Sequence, residues 1–146
     1  MSYISKLQEA TQLTSPNFPL MPDETPEEFE AYRSRIIGAL KPINALSENI
    51  AEDIVSAHWE IHRLERWRSI MICDRASVYK KEHEGENLGQ DEIMAFAYLR
   101  AIVYVQYYED RIEGLHRRAR RLFQDYRLWQ PVEAKQAEDV VAHEYE

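Results

Sequence analysis

The sequence predicts an all-α protein: a long antiparallel helical hairpin with one shorter flanking helix and extended termini. Two long segments carry apolar residues at intervals of three and four, the period of a helix, and no segment shows the alternation of a half-buried strand. The chain has only four glycines, which leaves little room for a turn-rich β architecture. We expect an N-terminal arm over residues 1–24, the helical hairpin domain over 25–130 and an acidic C-terminal tail over 131–146.

The flanking helix has a strong start signal in the sequence. The arm before it carries three prolines between residues 15 and 24, which favour extended backbone. Thr25 can cap the helix that follows, Pro26 suits its first position, and Glu28 completes a capping box. We expect this helix to end before Pro42 and to cover one side of the long helix after it.

The first long helix is expected from Asn44 to about Lys81, a stretch without glycine or proline. At a rise of ~1.5 Å per residue it is more than ~50 Å long, and Asn44 can cap its start. A single neighbouring helix cannot cover every apolar residue on it, because several fall off its main stripe: Val55, Trp59, Trp67 and Ile70.

The second long helix follows a turn that contains Gly85 and Gly89, and is expected from Asp91 to about Trp129. Between residues 93 and 108 it is apolar on nearly every side, which predicts that this half is buried all round. The stripe that we expect to face the first long helix is Ile93, Ala97, Ala101, Tyr104, Tyr108, Ile112, Leu115, Ala119, Leu122 and Tyr126.

A hairpin folded about Glu86 brings the acidic start of the first long helix to the basic end of the second. It places Glu52 near Arg120 and Glu60 near Ile112. A charge in a helix seam needs a partner, and it can fix register or oligomeric state. Four arginines are expected in or beside this seam: Arg68, Arg75, Arg100 and Arg111.

The composition indicates which kinds of partner and which cellular compartment suit the protein. The formal net charge of −8 at pH 7 argues against general affinity for nucleic acid or an anionic membrane. The most apolar segment, residues 93–108, contains Arg100 and Gln106 and is too short and polar for a membrane span. Cys73 is the only cysteine, so no intrachain disulfide can form; we expect it to be a small core residue of a cytoplasmic protein.

A local basic run is the candidate nucleic-acid contact, and DNA is therefore a possible partner. Its arginines are Arg117, Arg118, Arg120 and Arg121. The alternative is a solvated face whose arginines pair with carboxylates at the start of the first long helix: Glu48, Glu52 and Asp53.

A carboxylate-histidine cluster is the candidate metal site. His58 and His62 lie one helical turn apart, and the hairpin places Glu109, Glu113 and His116 at a similar height. A helical metalloprotein with a site between the two long helices is the alternative function. A di-iron bundle needs two inward Glu-x-x-His motifs, whereas only Glu113 and His116 match here. We therefore expect no cofactor, no metal and no catalytic residue.

The surplus apolar surface predicts a homo-oligomer. The candidate interface residues are Trp59, Trp67, Ile70, Phe96, Leu99, Ile102 and Val103. The acidic tail, with apolar Val140 and Val141 near its end, is the segment that we expect to bind another protein.

Residues 22–68 carry a pattern that includes Glu28-Phe29-Glu30, Leu40-Lys41-Pro42 and Arg63-Leu64-Glu65-Arg66. This pattern resembles a widespread family of uncharacterised helical proteins from bacteria and mobile elements, and the resemblance implies no catalytic residues. The architecture is also similar, by analogy, to the ring-forming hairpin core of phage small terminase subunits. We therefore expect a non-catalytic assembly or adaptor protein of phage or mobile-element type, with DNA packaging as one setting.

Overall fold

The computed structural model describes residues 20–129, which contain three α-helices and no strand. The helices are α1 (Pro26–Leu40), α2 (Ala45–Glu82) and α3 (Gln90–Leu128), so the predicted all-α class is confirmed. No helix in this described range combines the length and the apolarity that crossing a bilayer requires. Most of the predicted N-terminal arm and the whole acidic tail, with its proposed protein partner, lie outside the described residues and stay predictions.

Helix α1 begins at the residues that predicted its start and ends before Pro42, as expected. The Thr25 side-chain oxygen accepts a hydrogen bond from the Glu28 backbone N–H at 3.3 Å, and Pro26 occupies the first helical position. At the other end Lys41 adopts a left-handed conformation with φ of 51°, and its N–H donates to the Ile37 carbonyl at 2.9 Å. This left-handed residue ends the helix and turns the chain toward α2.

A reciprocal cap starts α2. The Ser47 N–H donates to Asn44 Oδ1 at 2.8 Å, and the Ser47 hydroxyl oxygen accepts from the N–H groups of Ile43 at 3.0 Å and Asn44 at 3.1 Å. Ser47 thus takes the place that glutamate holds in the usual capping box. The predicted Asn44 cap is confirmed, and the fully buried Ser47 leaves these helix-end donors satisfied.

The turn between α2 and α3 depends on Gly85. Its φ of 90° is a conformation that residues with a Cβ rarely adopt. The Ile93 N–H then donates to the Gly89 carbonyl at 3.1 Å as α3 begins. The turn signal in the sequence therefore lies where the long helices are separated.

The described chain packs as two compact units, and the first contains residues 20–57 and 119–129. Its core is Ala51 and Ile54 from α2 with Tyr126 from α3, and apolar residues of all three helices pack against it: Ile36, Ile37, Leu40, Ile50 and Leu122. Arg33 on α1 donates from Nε to both carboxylate oxygens of Glu52, at 2.8 and 3.0 Å. Helix α1 therefore packs on α2 in this unit, which is compatible with the predicted flanking helix.

The second unit contains residues 58–118. Its core joins α2 to α3 through Ile61, Leu64, Ile112 and Leu115. Glu60 accepts from Arg111 at 3.2 Å, one residue from the position predicted for it. These contacts are compatible with the antiparallel pairing expected from the sequence.

A substitution at Tyr126 tests the packing of α3 against α1 in the first unit. It is 3% exposed, and its hydroxyl donates to the Leu40 carbonyl at 2.6 Å. Tyr126→Phe should lower the free energy of unfolding by about 1–2 kcal/mol, because it leaves the part-buried Leu40 carbonyl without this donor. Urea denaturation measures the change as a lower midpoint at unchanged slope. Tyr104→Phe is the matched control, since Tyr104 is 52% exposed; equal stability of the two variants would refute the assignment.

Candidate assembly surface

An apolar stripe faces solvent on α3 within the second unit. It consists of Phe96 (40% exposed), Leu99 (61%), Val103 (72%) and Tyr107 (67%). Steps of three, four and four residues keep these side chains within about 80° of the helix circumference. We call these four residues the α3 stripe.

The opposite face of α3 is the one that packs inside the unit. Ala97, Ala101 and Val105 on that face are fully buried, and the two alanines allow a neighbouring helix to approach closely. The expectation that residues 93–108 are buried all round is therefore not met within the described chain. Tyr104, expected in the seam, is 52% exposed, and Val105 takes its place there.

The predicted interface residues divide into exposed and half-buried positions. Ile70, Phe96, Leu99 and Val103 are exposed, whereas Trp59, Trp67 and Ile102 are half-buried. Trp67 packs against the core cluster of the second unit, so it contributes less free surface than its sequence position suggested.

Tyr107 is an exposed residue that the predicted set omitted. It lies four residues after Val103 and eight after Leu99, so the same helical spacing could have identified it. Its exposed aromatic ring extends the α3 stripe by one helical turn.

Arg100 is the only charged residue between residues 93 and 108, and its charge is compensated inside the unit. Its guanidinium donates to the Glu82 carboxylate at 2.5 Å and lies 5.0 Å from the ring centroid of Tyr79. The Tyr79 ring also stacks on Phe96, with centroids 4.9 Å apart. Arg100 therefore places no unpaired charge beside the α3 stripe.

Other arginines expected near the seam also meet carboxylates in the second unit. Arg111 pairs with Glu60 at 3.2 Å, and Arg68 lies 3.9 Å from Glu109. The Arg75 Nε atom is buried and has no hydrogen-bond partner among the described residues. The pairing of Arg68, Arg100 and Arg111 agrees with the expectation that a charge near a helix seam needs a partner.

All four arginines of the basic run are exposed on α3. Arg117 donates to Glu113 at 2.6 Å, four residues earlier on the same helix. Among residues 20–129, no ion pair is seen for Arg118, Arg120 or Arg121. The proposed carboxylate partner Glu52 pairs instead with Arg33 of α1.

The candidate metal ligands are mostly engaged with other side chains. Glu109 lies 3.9 Å from Arg68, Glu113 accepts from Arg117, and His62 lies 3.6 Å from Glu65. Within the described range, no three His, Cys, Asp or Glu side chains are grouped so that they could hold a metal ion. The metalloprotein alternative, with His58, His62, Glu109, Glu113 and His116 as ligands, stays a prediction.

Cys73 is exposed on α2, so the expectation of a small core residue is wrong. It lies three residues after the exposed Ile70, on a part of the helix surface that the second unit does not cover. A free thiol at such a position is accessible to labelling reagents.

A cavity of about 210 Å³ lies beside the α2–α3 turn, lined by Lys80, His83, Glu84, Gly85, Glu86, Leu88 and Ile93. Small-molecule sites usually occupy roughly 300–1,000 Å³, so this cavity is undersized for one.

Comparisons of this protein with models of protein families, with curated proteins and with solved structures gave no match. The resemblance of residues 22–68 to a family of helical proteins, and the analogy with small terminase subunits, therefore stay predictions.

His58 is half-buried, and its burial lowers its pKa below the ordinary 6.5; the nearby imidazoles of His116 and His62 lower it further. Because the unfolded chain binds the proton more readily, protonation of His58 opposes folding. Its contribution to stability is complete above pH 6.5 and falls as the pH drops toward the lowered pKa.

Titration of the histidine ring protons by nuclear magnetic resonance measures this pKa directly. We expect a His58 midpoint below 6.5, and we expect His62→Gln to raise that midpoint because one neighbouring positive charge is removed. A wild-type midpoint at or above 6.5 would contradict the assignment.

Proposed function

We propose that this protein is a non-catalytic helical assembly protein that self-associates through the α3 stripe. The single observation that carries the proposal is the exposure of Leu99, Val103 and Tyr107 at 61%, 72% and 67% on one helix face. Scattered exposed apolar residues are normal on a protein surface, whereas a continuous apolar stripe indicates an interaction site.

The size of the stripe supports association. Its four side chains expose on the order of 400 Å² per copy, since a large aromatic residue buries about 150–250 Å² when fully covered. Burial on two copies at about 25 cal/mol per Å² gives roughly 20 kcal/mol as an upper bound. Association costs about 4–15 kcal/mol. This upper bound exceeds the cost of association, which supports self-association through the stripe.

Phage or mobile-element type is the finer part of the proposal and rests on the sequence resemblance alone. A cytoplasmic setting rests on the single cysteine. Neither part is needed for the self-association proposal.

Self-association is tested by light scattering coupled to size exclusion at micromolar concentration. The wild type should give a multiple of the 17.3 kDa chain, and Leu99→Gln with Val103→Gln should shift the mass toward 17.3 kDa. The reason is that both substitutions place a polar amide in the surface that self-association would bury.

Leu128→Gln is the matched control, because Leu128 is 72% exposed on the same helix but lies outside the stripe. It should leave the mass unchanged, and circular dichroism should show equal helix content for all variants. A monomeric wild type would refute the proposal.

DNA binding is the second candidate function, favoured by the exposure of Arg118, Arg120 and Arg121 without an ion pair to any described residue. Repetition of these arginines in an oligomer would add weak phosphate contacts by avidity.

Changing Arg117, Arg118, Arg120 and Arg121 to alanine should abolish DNA binding, and wild-type binding should weaken steeply between 50 and 200 mM salt, as phosphate contacts do (by about tenfold or more). Fluorescence anisotropy with a labelled duplex measures both. The matched control is Arg35→Ala, since Arg35 is an exposed arginine on α1. Equal affinity of the four-arginine variant and the wild type would remove this candidate.

A further inference from the structure

We propose that self-assembly through the α3 stripe is restrained by two carboxylates, Glu92 and Asp110, and that screening of these charges strengthens it. This inference rests on the proposed self-association and concerns its regulation. Its physical basis is the position of the two carboxylates relative to the stripe.

Glu92 and Asp110 lie at the two ends of the stripe. Glu92 comes four residues before Phe96, and Asp110 comes three residues after Tyr107. At about 100° per residue, both project along the same line of the helix as Val103. The stripe is therefore bounded at each end by a carboxylate.

Both carboxylates are exposed, and neither forms an ion pair with a residue in the described range. Nearby carboxylates differ in this respect. Glu109 lies 3.9 Å from Arg68, and Glu113 is held by Arg117. The two charges at the ends of the stripe are thus not compensated by an ion pair within the described residues.

Pairing of two copies through the stripe brings carboxylates together in either orientation. A parallel pair sets Glu92 beside Glu92 and Asp110 beside Asp110 of the second copy. An antiparallel pair sets Glu92 beside Asp110 twice. The repulsion therefore does not depend on how the copies are oriented, and both arrangements contain two like-charge contacts.

This repulsion is weak, so it reduces the affinity between copies without preventing association. Each like-charge pair on helix surfaces weakens an interaction by a factor of about 1.4–2.3, so two such pairs weaken association by about two- to fivefold. The screening length falls from about 14 Å at 50 mM salt to about 4 Å at 500 mM. We expect the self-dissociation constant to fall about two- to fivefold over that range, because added salt removes the repulsion.

Sedimentation velocity of the full chain at 50 and 500 mM sodium chloride tests the inference. The variant Glu92→Gln with Asp110→Asn should self-associate about two- to fivefold more tightly than the wild type at 50 mM, and most of its salt dependence should be gone. Circular dichroism should confirm equal helix content.

A charge-matched control separates this effect from the general repulsion between chains of net charge −8. Glu48→Gln with Asp91→Asn removes the same two charge types from exposed positions at helix starts. These positions lie off the stripe, so this control should keep most of the wild-type salt dependence.

The outcomes distinguish the two proposals. An oligomer whose salt dependence is the same in the Glu92/Asp110 variant and in the wild type overturns the inference but leaves self-association standing. A wild type that stays monomeric at both salt concentrations overturns both. Tighter association with salt that is lost only in the Glu92/Asp110 variant supports both.

Discussion

A helix that is apolar on two sides needs two neighbours, and this constraint governs both units of the chain. In the first unit α1 is the second neighbour, since Ile36, Ile37 and Leu40 pack on the core formed by α2 and α3. In the second unit no described segment takes that position, and the α3 stripe stays exposed. The units therefore differ in whether a third helix is present. Both long helices carry apolar surface along their length, and α1 covers it only in the first unit.

In the first unit, polar groups at the contact between α1 and the long helices form hydrogen bonds. Arg33 binds Glu52, and the Tyr126 hydroxyl satisfies the carbonyl of Leu40, the last residue of α1. The joint after Leu40 is short, and the left-handed Lys41 turns the chain there. Buried polar groups without partners would have offset much of the apolar gain. Packing and hydrogen bonding therefore hold α1 in the same place.

The helix ends could be predicted because they depend on local chemistry: Thr25 and Pro26 start α1, Pro42 follows its end, and Asn44 caps α2. The rotation of α3 could not. After Ala101, a step of three leads to Tyr104 and a step of four to Val105, and both fit a helical period. Only the position of the neighbouring helix selects Val105 for burial. Helical spacing predicted part of the exposed α3 stripe. It could not predict the ion pair of Glu52 with Arg33, because that pair joins separate helices.

The described part of the first unit is assembled from two separate stretches of chain, residues 20–57 and 119–129, whereas His58–Arg118 is continuous. The Tyr126–Leu40 hydrogen bond alone spans 86 residues, so closing it costs more loop entropy than closing the short turn at Gly85. Folding kinetics follow from this connectivity. The continuous hairpin can form from local contacts first, and its closure brings the end of α3 back to α1. During synthesis, α1 leaves the ribosome long before Tyr126 does. The apolar face of α1 therefore cannot complete its packing until Tyr126 has been synthesised.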